Sequence, residues 1–138
     1  MIKKNIILKE VNSLDYRFLF NLLKERDNKT NISHKKMPTY TEHVNFVKSK
    51  PYTKWYIIQN SQIKIGSIYL SKYDEIGIFI KEIFYGKGFT NDALKLIIEK
   101  NPRSRYLANV NPKNIRSIKF FKKNSFKLIQ HTYELEKK

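Results

Sequence analysis

The residues best placed to do chemistry lie in the second half of the chain. Between the apolar run EIGIFI (75–80) and an apolar-periodic run ending LKLIIEK (94–100) sits YGKGFTNDAL (85–94). A strand that ends in a glycine-bearing turn and opens into a helix exposes unpaired backbone amides at the positive end of the helix dipole, an arrangement that holds phosphate. Glycine lets that backbone approach a ligand closely, although an isolated Gly-x-Gly serves equally well as a tight turn. A Walker loop requires Gly-Lys-Ser/Thr, and a dinucleotide fingerprint requires three spaced glycines; Gly86, Lys87 and Gly88 satisfy neither. Metal chemistry is disfavoured, because there is no cysteine and the three histidines lack ligand spacing.

The elements that must position this loop follow from periodicity. KNIILKEV (4–11) reads as a strand. NSLDYRFLFNLLKER (12–26) reads as an amphipathic helix capped by Asn12 or Ser13, with Leu14, Phe18, Leu19, Leu22 and Leu23 inward. TYTE (39–42) has the Ser/Thr-x-x-Glu form of a capping box and starts a second helix, with Val44 and Val47 inward, that stops near Pro51. Residues 54–80 form three β-rich runs with turns at Asn60-Ser61 and Tyr73-Asp74, an antiparallel meander. A third helix, capped by Thr90 or Asn91, buries Ala93, Leu94, Ile97 and Ile98 and ends before Pro102. A buried strand at 105–110 follows. A helix at 111–124 then buries Ile115, Ile118 and Phe121 or Phe120, and a last strand spans 126–135.

The order β α α β β β α β α β describes an α+β domain with a mixed, mostly antiparallel sheet and about four helices. No repeat, linker or biased segment divides residues 1–138, so a single domain is expected. With 41% hydrophobic and 14% aromatic residues the chain carries enough apolar mass to fold. The N-terminal apolar run is too short for a signal peptide and no run reaches membrane-spanning length, which points to the cytoplasm. Twenty-eight Lys and Arg against twelve Asp and Glu give a net charge of +16, a field that attracts anions.

Two stretches resemble the signatures of the GNAT acetyltransferase superfamily. Its acyl-CoA loop reads Gln/Arg-x-x-Gly-x-Gly/Ala between the fourth strand and the third helix; here Tyr85, Gly88 and Thr90 occupy those places, and two of the three depart from the pattern. The second signature, Asn-x-x-Ala/Ser-Ile-x-φ-Tyr-x-x-x-Gly-Phe, is matched by NIRSIKFFKKNSF (114–126) at Asn114, Ser117, Ile118, Phe120 and Phe126. It departs at Phe121, where many members carry the tyrosine that protonates the leaving thiolate, and at Ser125. The segment 24–47 resembles, at Arg26 and His43, the branch that acetylates amino-sugar nucleotides and the N-termini of ribosomal proteins.

The resemblance implies an acetyl-CoA-dependent N-acetyltransferase in which the acceptor amine attacks the thioester directly in a ternary complex, without a metal. Phe79, Ile80 and Lys81 would lie beside the thioester. Tyr85, Gly86, Lys87, Gly88, Phe89 and Thr90 would hold the pyrophosphate, with Asn114, Ser117, Phe121 and Lys123 lining the groove from the last helix. Glu75, Glu82 and His43 are the candidate bases. Tyr85, Tyr133 or solvent must supply the acid that Phe121 cannot. Arg26 and His43 would bind the acceptor, for which a small anionic amine such as an amino-sugar nucleotide is favoured over a protein N-terminus. The competing class is a nucleic-acid-binding module built on the basic helix KNIRSIKFFKK (113–123), disfavoured because that helix's apolar residues are needed for the core. A CoA sensor without turnover and a homodimer both stay open, and no membrane partner is expected.

Overall fold

A computed structural model describes residues 4–26 and 36–137. Four strands, β1 (Ile6–Glu10), β2 (Lys54–Asn60), β3 (Ile63–Leu70) and β4 (Ile76–Ile80), form one antiparallel sheet in the order β1-β2-β3-β4. The helices are α1 (Tyr16–Glu25), α2 (Tyr40–Lys48), α3 (Phe89–Lys100) and α4 (Ile115–Lys123), with short 3-10 turns at Ser13–Asp15 and Glu82–Phe84.

Successive side chains on a strand point to opposite faces, so the pairing register assigns each residue a side. Leu8, Ile58, Ile68 and Ile78 fall on one face, which α3 covers with Phe89, Ala93, Leu94 and Ile97; all four of these helix residues are buried. Full burial of each large apolar side chain there contributes about 2 kcal/mol. On the opposite face Ile57 packs with Leu19 of α1 and Val47 of α2, beside Trp55 and Phe18. Tyr69 lies on this second face directly across from Gly77, and a Cβ on Gly77 would stand 2.3 Å from the Tyr69 ring. Glycine is therefore required where the phenol crosses the neighbouring strand.

The two N-terminal caps act on their own residues. Asn12 and Asp15 form a capping box around the first 3-10 turn, and Thr39 and Glu42 form one at the start of α2, donors and acceptors exchanged in both. Asp15 has no exposed surface and holds Lys9 Nζ at 2.8 Å and Lys64 Nζ at 2.7 Å, pinning β1 and β3 to the entry of α1.

Several expectations need correction. Leu14 is 84% exposed, since the chain is still in its 3-10 turn there and α1 begins at Tyr16. The β2–β3 turn is Ser61-Gln62, both with positive φ, one residue later than expected; a bulge at Ile58/Gln59 shifts the register. Gly88, in the left-handed region, caps α3 in place of Thr90 or Asn91. The segment 105–110 makes a single parallel bridge, Glu75 with Leu107, rather than a strand. Residues 126–135 form no ladder, and Leu128, Ile129, Tyr133 and Leu135 are exposed. Strand propensity reflects packing on a pleated surface, and neither segment has such a neighbour along its length. Within α4, Ile115 is 56% exposed and no residue is fully buried; Ile118, Phe120 and Phe121 are half-buried.

Candidate active site

The two ends of β4 carry different parts of the site. At its start Ile76 N donates to Leu107 O (2.7 Å) and Leu107 N donates to Asp74 O (2.9 Å), after which β4 and the 105–110 segment part. Strand alternation turns the amides of Ile78 and Ile80 toward the same side as that of Ile76, so the outer edge of β4 offers backbone donors beyond the bridge. Lys81 N bonds inward to Ile65 O and closes the inner edge. Gly66 permits this close pairing, because a Cβ there would meet Phe79 O at 2.2 Å.

Beyond β4 the chain turns through Glu82–Phe84 into Gly86 and Gly88, with φ of 78° and 80°. No side chain caps α3, whose first-turn amides have no intrahelical acceptor. Nothing lies within 4 Å of the Cβ position of Gly86, and at Gly88 that position meets only the end of Lys4, whose Nζ is 2.7 Å away. Lys4 is ion-paired with Asp92 at 3.4 Å, which places an amine beside this helix start that no motif announced, its charge shared with that carboxylate. Open backbone, a bare helix start and a nearby amine suit a pyrophosphate. Lys87 and Tyr85 are exposed on the same loop, with the Arg116 guanidinium 4.3 Å from the Tyr85 ring centre, while Phe89 is buried in the core and Thr90 is half-buried in the first turn of α3. Burial pushes the Tyr85 phenol pKa up, with Arg116 opposing.

From α4, Asn114 is the N-cap, its side chain accepting from Ser117 N at 3.2 Å; both members of that motif are thus engaged in starting the helix. Asn124 donates to Asn91 Oδ1 at 3.1 Å and so ties the end of α4 to the first turn of α3. Phe121 packs edge-on against Phe120 and Phe126, at 5.1 and 5.0 Å, which leaves no phenol at that position. Lys123 is exposed in the last turn.

On the other face of the sheet, at the end of α1, Arg26 lays its guanidinium 3.5 Å from the centre of the Phe79 ring. The two help to line a cavity of about 40 Å³ with His43, Phe46, Tyr52, Trp55, Ser67 and Tyr69. Tyr52 and Tyr69 stack at 3.7 Å with planes 3° apart. Burial, first, raises both phenol pKa values, with each ring acting on the other and Arg26 opposing, so both phenols are protonated at neutral pH. Burial also pushes the Arg26 pKa down. Of this wall, the sequence named Arg26 and His43 for the acceptor and named Phe79 for the thioester rather than for this cavity. Tyr52, Trp55, Ser67 and Tyr69 were missed, although period-two alternation already places Trp55 with Ile57, and Ser67 with Tyr69, on common faces.

Among the base candidates, Glu75 shares the strand parity of Gly77 and Phe79, and so faces this cavity side, where its charge acts on Tyr52 and Tyr69. Its carboxylate accepts from Ser71 Oγ (2.9 Å) and Asn109 Nδ2 (2.7 Å). Ile80 lies five residues along the strand, about 17 Å away. Glu82 is exposed just past β4, and its amide donates to the Glu25 carboxylate. His43 is buried on α2, 5.9 Å from the Phe20 ring. The structure thus brings Arg26, His43 and Phe79 together and leaves Glu75 and Glu82 at opposite ends of β4. The rest of the 24–47 segment, at 27–35, lies outside the described residues. No group of three or more possible metal ligands occurs among the described residues, and none of their helices is long and apolar enough to cross a membrane.

Residues 5–127 match the family model described as an acetyltransferase (GNAT) domain. The chain belongs to the GNAT acetyltransferases. It is an acetyl-CoA-dependent N-acetyltransferase with the GNAT fold. Among solved structures, a domain from Methanocaldococcus jannaschii superposes with a TM-score of 0.82 at 25% identity, covering 96% of this chain and 94% of that one. An acetyltransferase from Thermus thermophilus gives 0.76 at 18% identity, with coverage of 94% and 92%. The Campylobacter jejuni N-acetyltransferase PseH, solved with acetyl coenzyme A, gives 0.69 at 21% identity, with coverage of 93% and 92%. No curated protein matches this GNAT chain.

Proposed function

We propose that this acetyltransferase acetylates a primary amine on a small anionic acceptor, held on the α1/α2 face of the sheet while acetyl-CoA occupies the β4 edge and the start of α3. The observation that carries this is Arg26, a largely buried cation with no carboxylate partner among the described residues, stacked on Phe79 where β4 ends. A buried charge without a counter-ion is costly, and a bound anion offsets that cost. The amides of Ile78 and Ile80 would align the acyl donor along β4, which supplies the activated thioester. The first-turn amides of α3, with Lys4 and Lys87, would neutralise its phosphates.

Glu75 is the first choice for removing the ammonium proton. It faces the cavity side and is held by Ser71 and Asn109, and at its distance from Ile80 it would act through water or through the Tyr69 phenol. Glu82 and His43 remain in competition. Tyr69 and Tyr52, protonated at neutral pH, join Tyr85 as proton donors in place of the missing tyrosine at Phe121. Nucleic acid is a poor alternative ligand, because Phe120 and Phe121 pack against each other and Phe126 rather than offering open faces for stacking.

An amino-sugar nucleotide is the acceptor class that the segment around Arg26 and His43 suggests, with a protein N-terminus the alternative. The test is acetyl-CoA consumption against sugar nucleotides, other small anionic amines and peptides, with Arg26→Ala alongside. An anionic small amine should be turned over, and Arg26→Ala should raise its KM about tenfold or more, the loss of roughly 1.4 kcal/mol of binding, while acetyl-CoA KM changes little. Turnover confined to peptide N-termini would overturn the assignment.

A further inference from the structure

The cavity beneath Arg26 has a specific deficit. Among the described residues, Arg26 Nε and Trp55 Nε1 are both buried and both lack a hydrogen-bond partner, and the two side chains line the same space with Phe79 and the stacked pair Tyr52 and Tyr69. Both orphaned atoms are N–H donors, and neither side chain has an acceptor to offer the other. Leaving a buried donor unsatisfied is unfavourable, so an occupant that completes the cavity presents acceptor atoms to these two N–H groups. Arg26 adds the sign: the occupant is an anion. The cavity is partly open, so its walls bound only the inserted end of a ligand: about 40 Å³ holds roughly three water-sized groups, at about 10–15 Å³ for each. A carboxylate has three heavy atoms, is planar like the guanidinium fork, and accepts along two directions. A tetrahedral phosphate has five heavy atoms and a diphosphate has more.

We infer that the cavity bounded by Arg26, Trp55, Tyr52, Tyr69 and Phe79 is a carboxylate subsite, so that the acceptor amine of this enzyme is carried on a carboxylate-bearing molecule. The inference rests on the proposed acceptor face and narrows it: a nucleotide diphosphate stays outside the cavity, and a sugar nucleotide qualifies only if its sugar bears a carboxylate. A carboxylate on Arg26 lies over Phe79 at the end of β4, which leaves the rest of the acceptor to extend along Phe79 toward the acyl donor.

The test begins with binding, which does not depend on turnover. The full chain is titrated with sodium acetate, acetamide, inorganic phosphate and sodium chloride at matched ionic strength, with melting temperature and calorimetric heat recorded for wild type, Arg26→Met and Trp55→Phe. Acetyl-CoA is titrated into the same samples. Acetate should give a saturable stabilisation that acetamide and chloride do not, with phosphate weaker than acetate. Arg26→Met should abolish the acetate effect, and Trp55→Phe, which removes a single N–H, should weaken it severalfold. Equal responses to acetate and chloride, a stronger response to phosphate, or an acetate response unchanged in both variants overturns the subsite. Acetate binding that depends on Arg26 in a protein that ignores acetyl-CoA would sustain the subsite and sink the acetyl-transfer assignment; the reverse pattern would do the opposite. A second arm compares amino acids with their amides as acceptors. If the carboxylate belongs to the acceptor, the acids should have at least tenfold higher kcat/KM than the amides, with acetate competing. Acetate that stimulates turnover of amides, with no preference for the acids, would overturn the assignment of the carboxylate to the acceptor.

Discussion

Replacing Gly77 with alanine would strike the wall of the cavity beneath Arg26, the proposed acceptor site, without touching a charged group. The new Cβ would stand 2.3 Å from two carbons of the Tyr69 ring and 2.5 Å from its oxygen. Ordinary carbon contacts are about 3.5 Å, so the ring must retreat by roughly 1 Å or more. Tyr52 is already stacked on Tyr69 at 3.7 Å and nearly parallel, which blocks a simple sideways shift. Overpacking of this kind costs about 1–3 kcal/mol. For a domain of this size about 2 kcal/mol corresponds to a fall of roughly 8 °C in Tm. Calorimetric melting measures it directly. In Tyr69→Ala the obstacle is gone, so adding Gly77→Ala to that background should cost far less than in wild type, with a coupling of about 1 kcal/mol or more. Acceptor KM should rise in Gly77→Ala while acetyl-CoA affinity holds, because Gly77 lies on the opposite sheet face from α3. A Tm within a degree or two of wild type, with additive effects in the double variant, would refute the placement of Tyr69 across Gly77.

Asp15→Asn should destabilise the fold by about 2 kcal/mol, less than the ~3–5 kcal/mol of a fully buried pair, because Lys9 and Lys64 are 32% and 30% exposed and can turn to water. Burial pushes the Asp15 carboxyl up, but the bonds from Lys64, Lys9 and the Asn12 amide outweigh it and hold the pKa below its ordinary value. The stabilisation is therefore complete above the unfolded carboxyl pKa of about 4 and is lost as pH falls through the folded value. Denaturant melts between about pH 2 and 7 should show this acid limb in wild type and a flatter one in Asp15→Asn. Glu75→Gln should lower kcat by about tenfold or more with acetyl-CoA affinity little changed, measured beside Glu82→Gln and His43→Ala. Full rate in Glu75→Gln at every pH, with loss in one of the others, moves the base to that residue.

The elements legible in the sequence were those whose signals are local. The capping residues Asn12 and Thr39, the apolar stripe Leu19, Leu22, Leu23 and the run Ala93, Leu94, Ile97 act within a few residues of themselves, and the structure places them as their periodicity implies. The meander was legible for the same reason, apart from the one-residue slip at Ser61-Gln62 that the bulge introduces. Long-range partners were not legible. Whether 105–110 and 126–135 become strands depends on a neighbour with unpaired backbone, and apolar alternation in one segment carries no information about that neighbour. The cavity illustrates the same limit: Arg26, Tyr52, Trp55 and Tyr69 come from one helix end, one loop and two strands, and only the register brings them together. The Asn114-x-x-Ser117 spacing was legible as a family signature, while its structural meaning, a helix cap, was not.

Acetyl-CoA affinity of wild type, Gly88→Asn and Gly88→Asp, measured by calorimetry on folded protein, bears most directly on the assignment of the donor site. Asn and Asp tolerate the positive φ of Gly88 better than other side chains, and their Cβ meets only the flexible end of Lys4. The pair therefore shares one backbone strain and differs in charge. Wild type should bind acetyl-CoA and gain melting temperature with it. Gly88→Asn should weaken binding, and Gly88→Asp, which sets a negative charge against the phosphates at the start of α3, should abolish it. Unchanged affinity in a folded Gly88→Asp protein would contradict the placement of the pyrophosphate at this helix start.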